Sequence, residues 1–189
     1  MPYFQNAGTL IVETVFSILI LFMLLRFMFQ LFRADFRNPI SQAIVKVTNP
    51  FLAPFRRVIP GLYGIDLAAV VLIIILGLLK MWILLALQGY QINFSAMFIL
   101  SLADTLNTVI WIFIIAVLAS VIASWVARGS YHPVLGLIYS LSEPISAPFR
   151  RILPTMGGLD FSPILTLLVL QLAQGLIVHP LTDFGRSLI

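Results

Sequence analysis

Four long apolar runs dominate the chain, and most polar positions fall between them. A bilayer core about 30 Å thick needs about 20 apolar residues at about 1.5 Å rise each. Thr9–Phe32, Leu67–Leu87, Thr105–Trp125 and the shorter Phe161–Val178 fit that length. No alternating short strands accompany them, so the spans are predicted to be helices rather than parts of a closed barrel. Between spans lies a second pattern. Ile40, Ala43, Ile44 and Val47 recur at i, i+3, i+4 and i+7, as do Val134, Leu137, Ile138 and Leu141. Ser41, Gln42 and Lys46 occupy the other face of the first copy. Each run predicts a short amphipathic helix in the membrane interface. Pro50/Pro54 and Pro144/Pro148 are expected to break these helices, since proline removes a donor and restricts the residue before it.

The two loops are copies. Asn38-Pro39 aligns with His132-Pro133, and a shift of 94 residues holds without a gap to Asp66 and Asp160. Pro50-Phe51-Leu52-Ala53-Pro54-Phe55-Arg56-Arg57 matches Pro144-Ile145-Ser146-Ala147-Pro148-Phe149-Arg150-Arg151, and Gly64 and Asp66 match Gly158 and Asp160. The same shift carries the first span onto the third and the second onto the fourth. The chain therefore divides into residues 1–94 and 95–189, each a span, a loop and a span. The copies are parallel, which sets aside the inverted-repeat logic of many transporters. The predicted fold class is an all-α membrane protein with four transmembrane helices in two tandem repeats.

Charge gives an independent topology. Lys plus Arg number 0, 5, 0, 3 and 1 through the N-terminal segment, loop 33–66, loop 88–104, loop 126–160 and the tail. Basic residues mark cytoplasmic loops, so both long loops are expected in the cytoplasm and both termini outside. No basic residue precedes Arg26 and no A-x-A site follows the first run, so it reads as a span rather than a cleaved signal. Composition agrees. The chain is 61% hydrophobic and 10% charged, against about 45–50% and about 25% in soluble domains. The net charge of +4 forms no patch that would suit nucleic acid. Absence of cysteine excludes disulfides, thiolate metal sites and cysteine nucleophiles.

The doubled Pro-x-x-x-Pro-Phe-Arg-Arg-x-x-Pro followed by Gly-x-Asp resembles the YggT family of bacterial inner-membrane proteins, also called YlmG. The resemblance covers nearly the whole chain and fits the two-repeat proteobacterial form. Met156-Gly157-Gly158-Leu159-Asp160-Phe161-Ser162-Pro163 is especially close, whereas the first copy lacks one glycine and the Ser-Pro. The resemblance implies a place in the inner membrane. It also implies links to osmotic and ion tolerance, to division and envelope organisation, and to thylakoid protein biogenesis in chloroplast relatives.

Arg56, Arg57, Arg150 and Arg151 are the leading candidate site. They read as topology anchors, as ligands for anionic lipid headgroups, or as docking points for other membrane proteins, where Arg grips phosphate or carboxylate in two-pronged fashion. Asp66 and Asp160 are placed to cap the following helices. Glu13, Arg26 and Lys80 fall within spans and are expected to snorkel outward. Asp104, Asn107, Thr108 and Trp111, with Gln171 and Gln174, read as polar glue between helices. Ala116, Ser120 and Ser124, with Ala119, Ala123 and Ala127, make a small-residue stripe suited to internal packing or a homodimer. His132 and His179 are expected on opposite sides of the membrane, so no shared metal is foreseen. No catalytic constellation is visible, and neither enzyme activity nor a cofactor is expected. Scaffolding or assembly at the membrane is the leading functional reading. A channel, transporter or regulator in osmotic stress and ion homeostasis is the alternative.

Overall fold

The computed structural model describes residues 2–62, 64–126, 132–152 and 160–189. Helix α1 runs Pro2–Leu31, α2 Pro39–Arg56, α3 Leu67–Gln88, α4 Phe94–Val126, α5 Pro133–Ile152 and α6 Ser162–Ala173. A π turn, Gln174–Val178, joins α6 to α7, His179–Ser187. Among the described residues the sole β feature is the isolated bridge between Leu62 and Ile65. Among the described residues, four helical stretches are long and apolar enough to cross a membrane: Tyr3–Leu31, Leu67–Gln88, Phe94–Trp125 and Ser162–Ser187.

The third and fourth spans are longer than hydropathy predicts, for physical reasons. The third starts at Phe94, eleven residues before Thr105. Asn93 starts it, its side chain accepting from the Ser95 N–H at 3.0 Å. Asp104, which ends the apolar run in sequence, sits inside this helix because Lys80 neutralises it at 2.7 Å. The fourth continues through His179–Ser187, although its polar residues end the hydrophobic run. The π turn there precedes Pro180, which has no N–H to give to Leu176; lipid-embedded helices absorb such a loss by local π geometry.

Helices α1 and α3 end alike. Arg33 adopts φ 53° and Gly89 φ 76°. In each case two bonds reach back: Ala34 N–H to Phe29 O at 2.8 Å and Arg33 N–H to Gln30 O at 3.3 Å, then Tyr90 N–H to Leu85 O at 3.1 Å and Gly89 N–H to Ala86 O at 3.2 Å. This is the Schellman arrangement, which needs a left-handed residue at its corner. At position 89 glycine adopts it without a Cβ penalty.

Helix α4 packs against α1, α3, α5, α6 and α7, while α1 lies along α3. The main core occupies the loop side of the bundle. Ile20, Met23, Leu24 and Met28 of α1 meet Leu72, Ile73 and Leu76 of α3, Leu52 of α2, Ile112 and Ala116 of α4, and Leu137 and Leu141 of α5. Phe32 and Phe113 cross edge to face with centroids 6.0 Å apart. At the opposite end Gln5 Nε2 donates to Leu87 O at 2.9 Å, which ties the start of α1 to the end of α3.

The loop helices depart from expectation in two ways. Both continue through their prolines. Prolines four residues apart share one helix face, and all four here are exposed. Their missing bonds therefore face outward, where water or headgroups can serve the freed carbonyls. Second, α2 turns Ser41, Ile44, Thr48 and Leu52 inward and leaves Ile40, Ala43 and Val47 exposed. Buried acceptors and donors explain this: Ser41 Oγ donates to Asp35 O at 3.0 Å, and Thr48 receives a buried arginine, described below. In α5 the expected Leu137 and Leu141 do face inward.

Gly77 sets how closely α3 and α4 approach. A Cβ placed there would run into Ser101 Oγ but lie 3.6 Å from Ser101 Cβ. Gly77→Ala is therefore expected to turn the Ser101 hydroxyl aside at a cost of about 1 kcal/mol, the low end of overpacking, and to lower the melting temperature in detergent. Adding Ser101→Ala removes the clashing oxygen and should restore most of the loss. Equal melting temperatures for parent and Gly77→Ala would refute the close approach.

Candidate functional site

The candidate site is assembled where the two loops meet. Asn38 begins α2, its Oδ1 accepting from Ile40 N–H at 2.9 Å while its Nδ2 donates to Pro133 O at 2.6 Å. One side chain thus caps the first loop helix and bridges to the second. Both loops consequently lie on the same face of the bundle.

Arg26 fixes α2 against α1. It is buried, and its Nη1 donates to Thr48 Oγ1 at 2.7 Å, with longer contacts to Val45 O and Asn49 Oδ1 at 3.5 and 3.4 Å. Thr48 Oγ1 donates in turn to Ile44 O at 2.7 Å. The expected snorkelling of Arg26 is thus corrected. A buried cation needs polar partners, and the inward face of α2 supplies them. The counterpart of Arg26 in the second repeat is Ser120, so this anchor belongs to the first repeat alone.

Each loop closes with the same latch. Arg56 Nε donates to Asp66 Oδ2 at 3.1 Å, with its Nη2 on the same oxygen. Arg150 Nε donates to Asp160 Oδ2 at 3.0 Å, and its Nη1 also reaches Glu143 at 2.7 Å. Both carboxylates also serve the helix that follows. Asp66 is the N-cap of α3 and accepts from Ala69 N–H at 3.3 Å; Asp160 accepts from Ser162 N–H at 2.9 Å. The carboxylate next to the helix start favours the helix dipole, and the arginine neutralises its charge. Burial by itself would raise the Asp160 pKa. Hydrogen bonding by Ser162 and the charge of Arg150 outweigh this and hold it below the usual carboxylate value. A depressed folded-state pKa means that this latch stabilises at neutral pH and weakens as pH falls below about 4.

The second arginine of each pair behaves differently. Arg57 and Arg151 are exposed and form no ion pair among the described residues. Val58, 82% exposed, follows the first, and Ile152, 68% exposed, follows the second. Each loop therefore presents a free guanidinium beside an apolar side chain. The glycine-rich stretch Met156–Leu159 lies outside the described residues, as do Ala127 and Arg128.

Within the spans, Lys80 is corrected as Arg26 was. It is buried, and its Nζ donates to Ser17 Oγ at 2.9 Å and to Asp104 Oδ2 at 2.7 Å. Asp104 and Lys80 lie 24 residues apart, and nothing in their spacing announces the pair. Lys80 aligns with Gln174 under the repeat, and Gln174 Nε2 donates to Asn107 Oδ1 at 2.7 Å. The same position in each repeat thus sends a polar side chain to α4. Trp111, Gln171 and Glu13 are exposed, and Thr108 bonds Asp104 O within its own helix. Along the stripe, Ala116 and Ala123 are buried, Ser120 is half-buried and Ser124 is exposed. Both hydroxyls bond carbonyls of their own helix, Ser120 that of Val117 and Ser124 that of Val121, each at 2.7 Å. His132 opens α5 at the loop face, while His179 opens α7 toward the other end.

Four apolar helices, a gapless duplication and twin Arg–Asp latches define a polytopic helical membrane protein built from two copies of one unit. The CCB3/YggT family model matches twice, at residues 5–87 and 99–181. The chain belongs to the CCB3/YggT family. Similar proteins include uncharacterized protein PA0392 of Pseudomonas aeruginosa, 45% identical over 94% of this chain and 91% of its own length. A Vibrio alginolyticus protein of the proC 3' region is 39% identical over 90% and 92%. Uncharacterized protein YggT of Escherichia coli K12 is 34% identical over 98% and 96%. No solved structure matches the chain.

The latches differ in burial, and their removal should differ in cost. The Asp66 side chain is 7% accessible, that of Asp160 32%. Asp66→Ala removes a buried cap and is expected to destabilise by about 1–2 kcal/mol. Asp160→Ala should cost under about 1 kcal/mol, since a pair this open is screened by solvent. Thermal unfolding of both variants in detergent checks the order, and the reverse ranking would contradict the latch geometry.

Proposed function

We propose that the protein is a scaffold or assembly factor of the bacterial inner membrane whose loop face binds anionic lipid headgroups and, through them or directly, other membrane proteins. The division of labour within each arginine pair carries this reading. Arg56 and Arg150 are committed to the latches, whereas Arg57 and Arg151 remain free beside exposed Val58 and Ile152. Free guanidinium next to apolar surface suits the boundary between headgroups and acyl chains. Each basic residue there is worth about 1 kcal/mol near an anionic leaflet. The outward row of Ile40, Val47 and Phe51 on α2 supports the same placement. The basic residues of both loops support a cytoplasmic loop face and periplasmic termini.

Arg57→Ala with Arg151→Ala should cut the phosphatidylglycerol and cardiolipin retained by the purified protein at least threefold, read by native mass spectrometry, without lowering the melting temperature. Unchanged lipid retention would leave the arginines as topology anchors only. Ion flux from liposomes would instead favour the channel or transporter reading in osmotic and ion homeostasis.

Orientation is testable because the chain has no cysteine. Tyr3→Cys should react with an impermeant maleimide in intact cells, and Val58→Cys only after permeabilisation. Labelling at position 58 in intact cells would invert the proposed topology.

A further inference from the structure

Away from the loops, a cavity of about 550 Å³ opens among the far ends of α3, α4 and α7. Small-molecule sites commonly span about 300–1,000 Å³. This one is mixed in character. Leucine and methionine side chains form much of its wall, and Asp104, Asn107, Tyr90, His179 and Arg186 supply polar groups.

The Lys80–Asp104 pair is sealed on one side and open on the other. The Lys80 side chain is 3% accessible, that of Asp104 30%. Lys80 holds Oδ2 of Asp104, and Oδ1 has no hydrogen-bond partner among the described residues. Asp104 thus lines the cavity with one carboxylate oxygen committed and one unpartnered. Two charges held at this depth cost solvation free energy unless fully partnered.

Arg186 reaches the same cavity from α7 and forms no ion pair among the described residues. Its height relative to Asp104 follows from its neighbour. A Cβ placed on Gly185 would lie 2.9 Å from Leu100, so α7 presses directly on α4 at that level. Asp104 stands one turn deeper on α4, about 6 Å at about 1.5 Å per residue. An acceptor for a cation and a donor fork for an anion therefore line one cavity, from backbone positions roughly one helical turn apart in height. An ammonium and a carboxylate on one carbon, each about 2.8 Å from its partner, bridge such an offset.

We propose that this cavity binds a small zwitterion of the α-amino acid class, its ammonium on Asp104 and its carboxylate on Arg186. The site lies at the opposite face from the loops and is independent of their lipid binding. Asn107 and Tyr90 offer further hydrogen bonds, and the apolar wall takes the ligand side chain.

The test uses the full chain in phospholipid nanodiscs with radiolabelled glycine, L-proline and L-glutamine. At least one should bind saturably at a single site. Acetate and methylammonium, each carrying half of the charge pattern, should compete at least tenfold more weakly. Arg186→Gln should weaken binding at least tenfold, whereas Glu13→Gln, on an exposed face of α1, should not. Asp104→Asn should do the same if it folds; if loss of the Lys80 partner unfolds it, Arg186→Gln alone decides. Absence of saturable binding by all three probes overturns the proposal. So does equal competition by acetate or methylammonium, or unchanged affinity in Arg186→Gln.

Discussion

A charge carried into a bilayer has to meet its partner within the protein, because lipid offers none. That demand organises most of the polar chemistry here. Lys80 reaches across from α3 to Ser17 on α1 and Asp104 on α4, so three spans are tied at one level. Arg26 draws the polar side of α2 inward, onto Thr48. With that side inward, Ile40, Ala43 and Val47 face out, while Ile44 and Leu52 join the core. The rotation of the loop helix about its own axis is thus set by a buried arginine in the neighbouring span.

The duplication shows which parts of the unit are fixed by local physics. The latch recurs with the same Nε-to-Oδ2 contact because each copy has the same task of turning a chain and starting a helix. The contacts between spans have diverged. Lys80 corresponds to Gln174, Arg26 to Ser120 and Glu13 to Asn107.

Much of the architecture was legible from residues alone. The four spans, the repeat, the loop helices and the capping role of Asp66 rest on local periodicity and short spacing, and local structure follows from these. Helix ends were less legible. Asp104 and His179 stop a hydropathy reading, yet a helix ignores polarity once a neighbour satisfies it. The cation partners were not legible at all. Thr48 lies 22 residues from Arg26, and Asp104 lies 24 from Lys80. Such pairings are set by how helices stack, which no local pattern records. Splitting each arginine pair into one bound and one free member also needed coordinates, since both members look alike in sequence.

The π turn at Gln174–Val178 has a geometric effect on the second copy. A π turn takes up one more residue than an α turn. Every side chain beyond it is therefore rotated by about 100° against its counterpart in α3. From that point onward the two halves still align in sequence, but matched residues differ in exposure: Leu85, which is buried, is matched by His179, which is exposed. A single extra residue of backbone slack has turned a symmetric duplication into two non-equivalent halves. The half that follows the slack was thereby released from copying the packing of the first.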